Sequence, residues 1–149
     1  MSLEQQLFED MKQAMKAKDK IRLETIRDVR AGIKNAFIKK GGELSDEEIL
    51  QIISTASKKR RESIEQFKAV NREDRADIEY QELQILQSYL PKQLNEAEIN
   101  DLLNSVFEEV KPESIKDMGK VMGRVMPKVK GIADGKLIQQ LVKEKLSGL

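Results

Sequence analysis

In MGKVMGRVMPKVKGIADGKLIQQLVK, residues 118–143, glycine, cations and apolar residues repeat more regularly than anywhere else in the chain. Met118, Val121, Met122, Val125, Met126 and Val129 fall at i, i+3, i+4, i+7, i+8 and i+11, which places all six on one side of an α-helix and predicts that this side is buried. On another side Lys116, Lys120, Arg124 and Lys128 recur every four residues, a row of cations roughly 6 Å apart along the axis. Gly119 and Gly123 leave bare backbone beside that row. An interior helical glycine costs about 0.5–1 kcal/mol relative to alanine, so two of them four residues apart imply that another helix or a ligand approaches the backbone closely. Lys130-Gly131 ends the helix, and Asp134 caps a last one carrying Leu137, Ile138, Leu141, Val142 and Leu146. Pro127, inside the pattern, predicts a kink or a tighter final turn, its ring opposed by the Gly123 carbonyl.

The rest of the chain reads the same way. Its 149 residues, 39% hydrophobic, suffice for one domain or for a modest domain and a small one, and 27 basic against 26 acidic residues leave the charge nearly balanced. Three prolines, few aromatics and no alternating strand pattern predict an all-α fold. No run approaches the roughly 20 apolar residues of a membrane span, and the N-terminus lacks a signal-peptide apolar block, so a soluble, cytoplasmic protein without a membrane partner is expected. With no Cys and no His there is no thiolate, imidazole base or ordinary zinc site, and no phosphate-loop or nucleophile-elbow motif occurs. The reading names no catalytic residue, metal or cofactor.

Outward from the opening stretch, Ser2 with Gln5 caps a helix over about 2–17, with Leu3, Leu7, Met11, Ala14 and Met15 on one face. Asp19 caps a second, its buried face Leu23, Ile26, Val29, Ile33 and Phe37, ended by Gly41-Gly42. Residues 12–40 hold ten cations against three acids, and Lys20, Arg27, Arg30 and Lys34 share a face, a second candidate anion-binding surface. Leu44-Ser45-Asp46-Glu47-Glu48-Ile49 supplies staple, cap and capping box for a long third helix to about residue 70. Its Lys58-Lys59-Arg60-Arg61 run is expected to be solvated, with Lys58–Glu62 and Arg61–Glu65 as pairs one turn apart. A fourth helix uses Ile78, Leu83, Leu86, Tyr89 and Leu90 and stops before Pro91. Asn95 and Glu98 then repeat the capping box and open a fifth, with Leu102, Leu103, Val106, Phe107 and Val110, to Lys111-Pro112. The architecture expected is a four-helix N-terminal domain, 1–90, and a three-helix C-terminal domain, 91–149. Within the latter, residues 91–113 carry net −4 and residues 114–149 net +5, so positive potential gathers on the last two helices.

At YLPKQLNEAEI (89–99) and MGKVMGRVMPKVKGIADGK (118–136) the chain resembles the GatB/YqeY family, and the stand-alone YqeY-like proteins over essentially its full length. That resemblance implies a helical N-terminal domain and a three-helix tail similar to that of the B subunit of the tRNA-dependent amidotransferase, where the tail recognises tRNA and other domains perform the transamidation. A family label of carbon–nitrogen ligase with glutamine as amido donor is inherited from that complex. The tRNA-facing positions it implies here are Lys116, Gly119, Lys120, Gly123, Arg124, Lys128, Lys130, Gly131 and Lys136. Ile132 stands where the family often has Arg or Lys, so one implied phosphate contact is absent. The expectation is a tRNA-binding or tRNA-enzyme-associated accessory protein that catalyses nothing alone, its partners tRNA and an aminoacyl-tRNA-processing enzyme. The alternatives are a helical adapter whose methionine stripe and glycine notch receive a partner helix, and a component of a glutamine-dependent ligase.

Overall fold

In a computed structural model describing residues 1–149, the chain folds into seven α-helices and one short 3-10 turn, with no strand. The helices are α1 (Leu3–Ala17), α2 (Lys20–Lys40), α3 (Asp46–Ala69), α4 (Glu73–Gln87), α5 (Glu96–Val110), α6 (Met118–Val129) and α7 (Gly135–Ser147), with the 3-10 turn (Ile115–Asp117) just before α6. They form two compact units, Met1–Leu90 and Pro91–Leu149.

Helix starts are set by side chains that satisfy the otherwise orphaned first amides. Complete capping boxes stand at Ser2/Gln5, Ser45/Glu48 and Asn95/Glu98, and Asp19 and Asp134 accept hydrogen bonds from backbone amides of α2 and α7. Each such cap contributes about 1 kcal/mol. Asp46 Oδ1 also accepts from the Leu3 amide at 3.1 Å, which ties the start of α1 to the start of α3.

In the first unit Leu7, Ile26, Val29, Ile33, Ile49, Ile53 and Leu86 form one buried cluster, and Ile64, Ala76 and Leu83 with Phe67 a second between α3 and α4. Three residues expected inside are outside: Met15, Phe37 and Ile78 are exposed. Met15 and Ile78 lie at the ends of their stripes, where the steps of about 100° have carried them off the buried face, whereas Phe37 is nearly in line with Ile26 but sits in the last turn of α2, where no neighbouring helix covers it. α4 turns inward through Ala76, whose small side chain lets α3 come close.

The basic run of α3 is not uniformly solvated. Lys58 and Lys59 are exposed, but Arg60 points into a cleft shared by three carboxylates, 2.6 Å from Glu82, 3.4 Å from Glu79 and 3.5 Å from Asp28. Arg61 is half-buried with its Nε lacking a hydrogen-bond partner. Helical fanning aims one member of any such run inward, and acids on α2 and α4 meet it. Arg60 Nε donates to Glu82, so the facing Oε2 of Glu79 is buried without a hydrogen bond. Burial first, then the neighbouring Glu82 charge, raises the Glu79 carboxyl above its ordinary range despite Arg60.

That imbalance yields a prediction. A carboxyl raised in the folded state holds its proton more tightly than when unfolded, so it opposes folding above its folded pKa and is relieved as pH falls through that value. Glu79→Gln is therefore expected to stabilise the protein by up to about 1 kcal/mol at neutral pH, with the gain shrinking in acid. Urea unfolding at the two pH values checks this; a loss of stability at neutral pH would show that the Arg60 attraction prevails.

Candidate nucleic-acid interface

The second unit is built round one apolar cluster, with Ile99, Leu103 and Val106 from α5, Val121, Val125 and Val129 from α6, and Ile138, Val142 and Leu146 from α7. The predicted six-residue stripe of α6 divides. Its three valines are fully buried, Met118 and Met122 are half-buried, and Met126 is exposed. At about 100° per residue Met126 lies a quarter-turn and more from Val125, at the centre of the ridge, and so rolls off the core. Its methyl reaches toward the start of α7, where a Cβ built on Gly135 would meet it at 3.5 Å. Leu137, expected inside on α7, is exposed for the same angular reason.

The valine ridge turns Gly119, Gly123 and Pro127 to the opposite, solvent side, and all three are exposed. A Cβ added at Gly119 or Gly123 would have nothing within 4 Å, so neither glycine is required by a neighbour in the fold, the Pro127 ring included. The α-helix runs through Pro127 to Val129, so its final turn does not tighten into a 3-10 turn. Proline has no N–H, so the Gly123 carbonyl lacks its donor four residues on and is left as an acceptor on the bare side.

The cations are distributed differently from the simple row. Lys116 lies in the 3-10 turn, not on α6. Lys120 stands beside the glycines with its ammonium 3.9 Å from Asp117. Arg124 and Lys128 lean toward α5, where Glu109 meets the first at 2.5 Å and the second at 4.0 Å. Lys130, Gly131 and Lys136 belong to the loop and the first turn of α7, and Gly131 has a positive φ of 80° that favours glycine. Gln93 Nε2 donates to the Gly131 carbonyl at 2.9 Å and the Leu94 amide to the Ile132 carbonyl at 2.7 Å, so the loop is clamped from the segment before α5. Ile132 packs against the apolar cluster, a role its side chain suits better than a cation would.

Glu109 and Gln93 are the residues that spacing does not find. The acidic excess of 91–113 signals counter-charge, but which carboxylate meets Arg124 depends on how α5 and α6 cross. Asp117 accepts from the Glu113 amide at 2.8 Å, and this bond, with Lys120 behind it, holds its carboxyl below the ordinary range. Its contribution to stability is thus present above the unfolded pKa and fades as pH falls through the depressed one.

The bare backbone, the orphaned carbonyl and the flanking cations suit an anionic, hydroxyl-bearing chain lying along α6. Both Glu109 pairs are exposed, and exposed pairs contribute about 0–1 kcal/mol. Glu109→Gln is accordingly expected to shift unfolding free energy by less than about 1 kcal/mol, measured by thermal or urea denaturation. A larger loss would make the pairs part of the fold and remove Arg124 and Lys128 from the ligand-facing set.

Comparison with known proteins gives the lineage. A family described as Yqey-like protein matches residues 4–146. The chain is 35% identical over 139 residues to altered inheritance of mitochondria protein 41, mitochondrial, of Pyrenophora tritici-repentis, covering 91% of this chain and 76% of that one. The protein of the same name from Lachancea thermotolerans is 38% identical over 108 residues, 70% of this chain and 58% of its own. A glutamyl-tRNA(Gln) amidotransferase subunit of Saccharolobus solfataricus is 30% identical over 115 residues, 74% of this chain but 18% of that much longer protein. No helix of the present structure is long and apolar enough to cross a membrane. With the match running almost end to end, the chain belongs to the YqeY-like protein family.

Proposed function

We propose that this chain is a non-catalytic RNA-binding accessory protein that recognises tRNA, or a tRNA-bound enzyme, through the helix and loop spanning Met118–Lys136. The observation that carries the reading is the open glycine strip of α6. Gly123 in the helix interior costs about 0.5–1 kcal/mol and Gly119 in the first turn less, yet no neighbour in the fold needs the space they leave. A sugar–phosphate backbone lying on the strip uses that space, takes Lys120 and Arg124 on its phosphates, and can donate a 2′-hydroxyl to the Gly123 carbonyl. Structured RNA is read by this kind of shape, hydroxyl and phosphate contact. The relation to a protein named for glutamyl-tRNA(Gln) supports the same substrate class. The adapter reading is weaker because Met118 and Met122 are spent on the unit's own core and the strip is flanked by charge, whereas protein interfaces deplete charge at their centre. The role needs only an aqueous compartment that contains tRNA, which cytoplasm and mitochondrial matrix both supply.

Four phosphate contacts, from Lys116, Lys120, Arg124 and Lys128, give log K against log[salt] a slope of roughly −3, about 60-fold weaker binding at 200 than at 50 mM salt. In a tRNA titration Lys120→Glu with Arg124→Glu is expected to flatten that slope while circular dichroism stays helical. Unchanged tRNA affinity in the double variant would remove α6 as the contact surface.

A further inference from the structure

The first unit carries a cationic face that the α6 reading leaves unused. On α2, Lys20, Arg27 and Lys34 recur every seven residues and so lie nearly in line along the helix, with Arg30 one step to the side. Lys20, Arg27 and Lys34 are exposed, and none of the four is ion-paired to a carboxylate. Arg30 instead lays its guanidinium 5.0 Å from the centroid of Phe8 and reaches Met11 Sδ at 3.2 Å. Asp28, the nearest acid on the far flank, turns away to Arg60, which leaves Glu24 at the edge. At the C-terminal end of the line Phe37 is 46% exposed and Ile38 67%, and Phe37 borders a hollow of about 380 Å³ shared with Arg30, Lys34 and Glu4. This contrasts with α6, where Lys120, Arg124 and Lys128 each have a carboxylate within 4.0 Å.

Cations three and four residues apart, as in Arg27–Arg30 and Arg30–Lys34, repel along a helix, and neither pair has a carboxylate within ion-pair distance, Glu24 and Glu4 standing only at the edges of the face. The face is therefore arranged for negative charge from outside the chain. We propose that it binds single-stranded nucleic acid, with Lys20, Arg27, Arg30 and Lys34 on successive phosphates and one unstacked base on the Phe37 ring. The charge distribution favours this occupant over a protein helix. Helix-in-groove docking puts apolar anchors along the centre line and charge at the rim. On α2 the centre line is charged for about 21 Å and the exposed apolar side chains sit at its end. Aromatic rings beside a cationic track stack bases that no duplex holds, which selects a single strand. The inference stands on residues separate from α6 and does not depend on that reading.

The test is a fluorescence-anisotropy titration of the full chain with a labelled oligouridine of about 12 nucleotides. Four phosphate contacts give a single-strand salt slope of about −3, roughly 50-fold weaker binding at 200 than at 50 mM salt. Arg27→Gln with Lys34→Gln should halve the slope, leaving about a sevenfold change, and Lys20→Gln with Arg30→Gln should do the same. Phe37→Ala should weaken binding roughly 5- to 100-fold at unchanged slope, and Lys120→Glu with Arg124→Glu should leave oligouridine binding as it is. Three results would overturn the assignment: slopes unaltered in both α2 pairs, a flattened slope in the α6 pair instead, or displacement by poly-glutamate at equal charge with no effect of Phe37→Ala. The last would identify a generic acidic partner.

Discussion

Burial of Val121, Val125 and Val129 determines how α6 is rotated about its own axis, and the character of every other residue on that helix follows from the rotation. Fully burying a valine is worth about 1.5 kcal/mol or more, so the ridge outweighs the roughly 0.5–1 kcal/mol lost at the interior Gly123. With the valines inward, Gly119, Gly123 and Pro127 have to face solvent, Arg124 and Lys128 have to lean toward Glu109, and Met126 has to sit at the edge. A helix can keep a strip of naked backbone only when its opposite side is held this firmly.

Counter-ions then decide how the two basic helices behave. Glu109 serves Arg124 and Lys128 at once in an exposed position, an arrangement of little net worth that an incoming phosphate can displace. On α2, Lys20, Arg27, Arg30 and Lys34 have no paired carboxylate to exchange, and Arg30 rests on an aromatic ring and a thioether. Charge counting treats both helices as basic faces. The difference between them is geometric, and it makes α2 the more open electrostatic surface and α6 the one with accessible backbone.

Much of this was legible in the residues. Capping boxes at Ser2, Ser45 and Asn95 work through contacts three residues apart, so their presence in the sequence was enough to place three helix starts. The all-helical class followed from helical periodicity together with few prolines, few aromatics and no alternating strand pattern. Burial at the margins of apolar stripes was not legible, because the exposure of Met15, Phe37, Ile78, Met126 and Leu137 depends on where the neighbouring helices centre each buried face and how far along it they reach. Arg60 shows the same limit for charge: its place among Glu79, Glu82 and Asp28 depends on three helices meeting, which no spacing within α3 encodes. For the candidate interface, sequence supplied the glycines and cations, while the emptiness around Gly119 and Gly123 and the claim of Glu109 on two of the cations required coordinates.

The tRNA affinity of a variant carrying both Gly119→Ala and Gly123→Ala reports directly on whether RNA backbone lies along α6. Nothing lies within 4 Å of either new methyl group, so the variant is expected to be more stable by about 0.5–1 kcal/mol, most of it from the interior Gly123, and any loss of binding cannot come from unfolding. If RNA backbone lies on the strip, the two methyl groups block its approach and affinity falls at least about tenfold, the equivalent of roughly 1.4 kcal/mol. Affinity equal to that of the parent chain, in a protein made more stable by the same substitutions, would contradict the account.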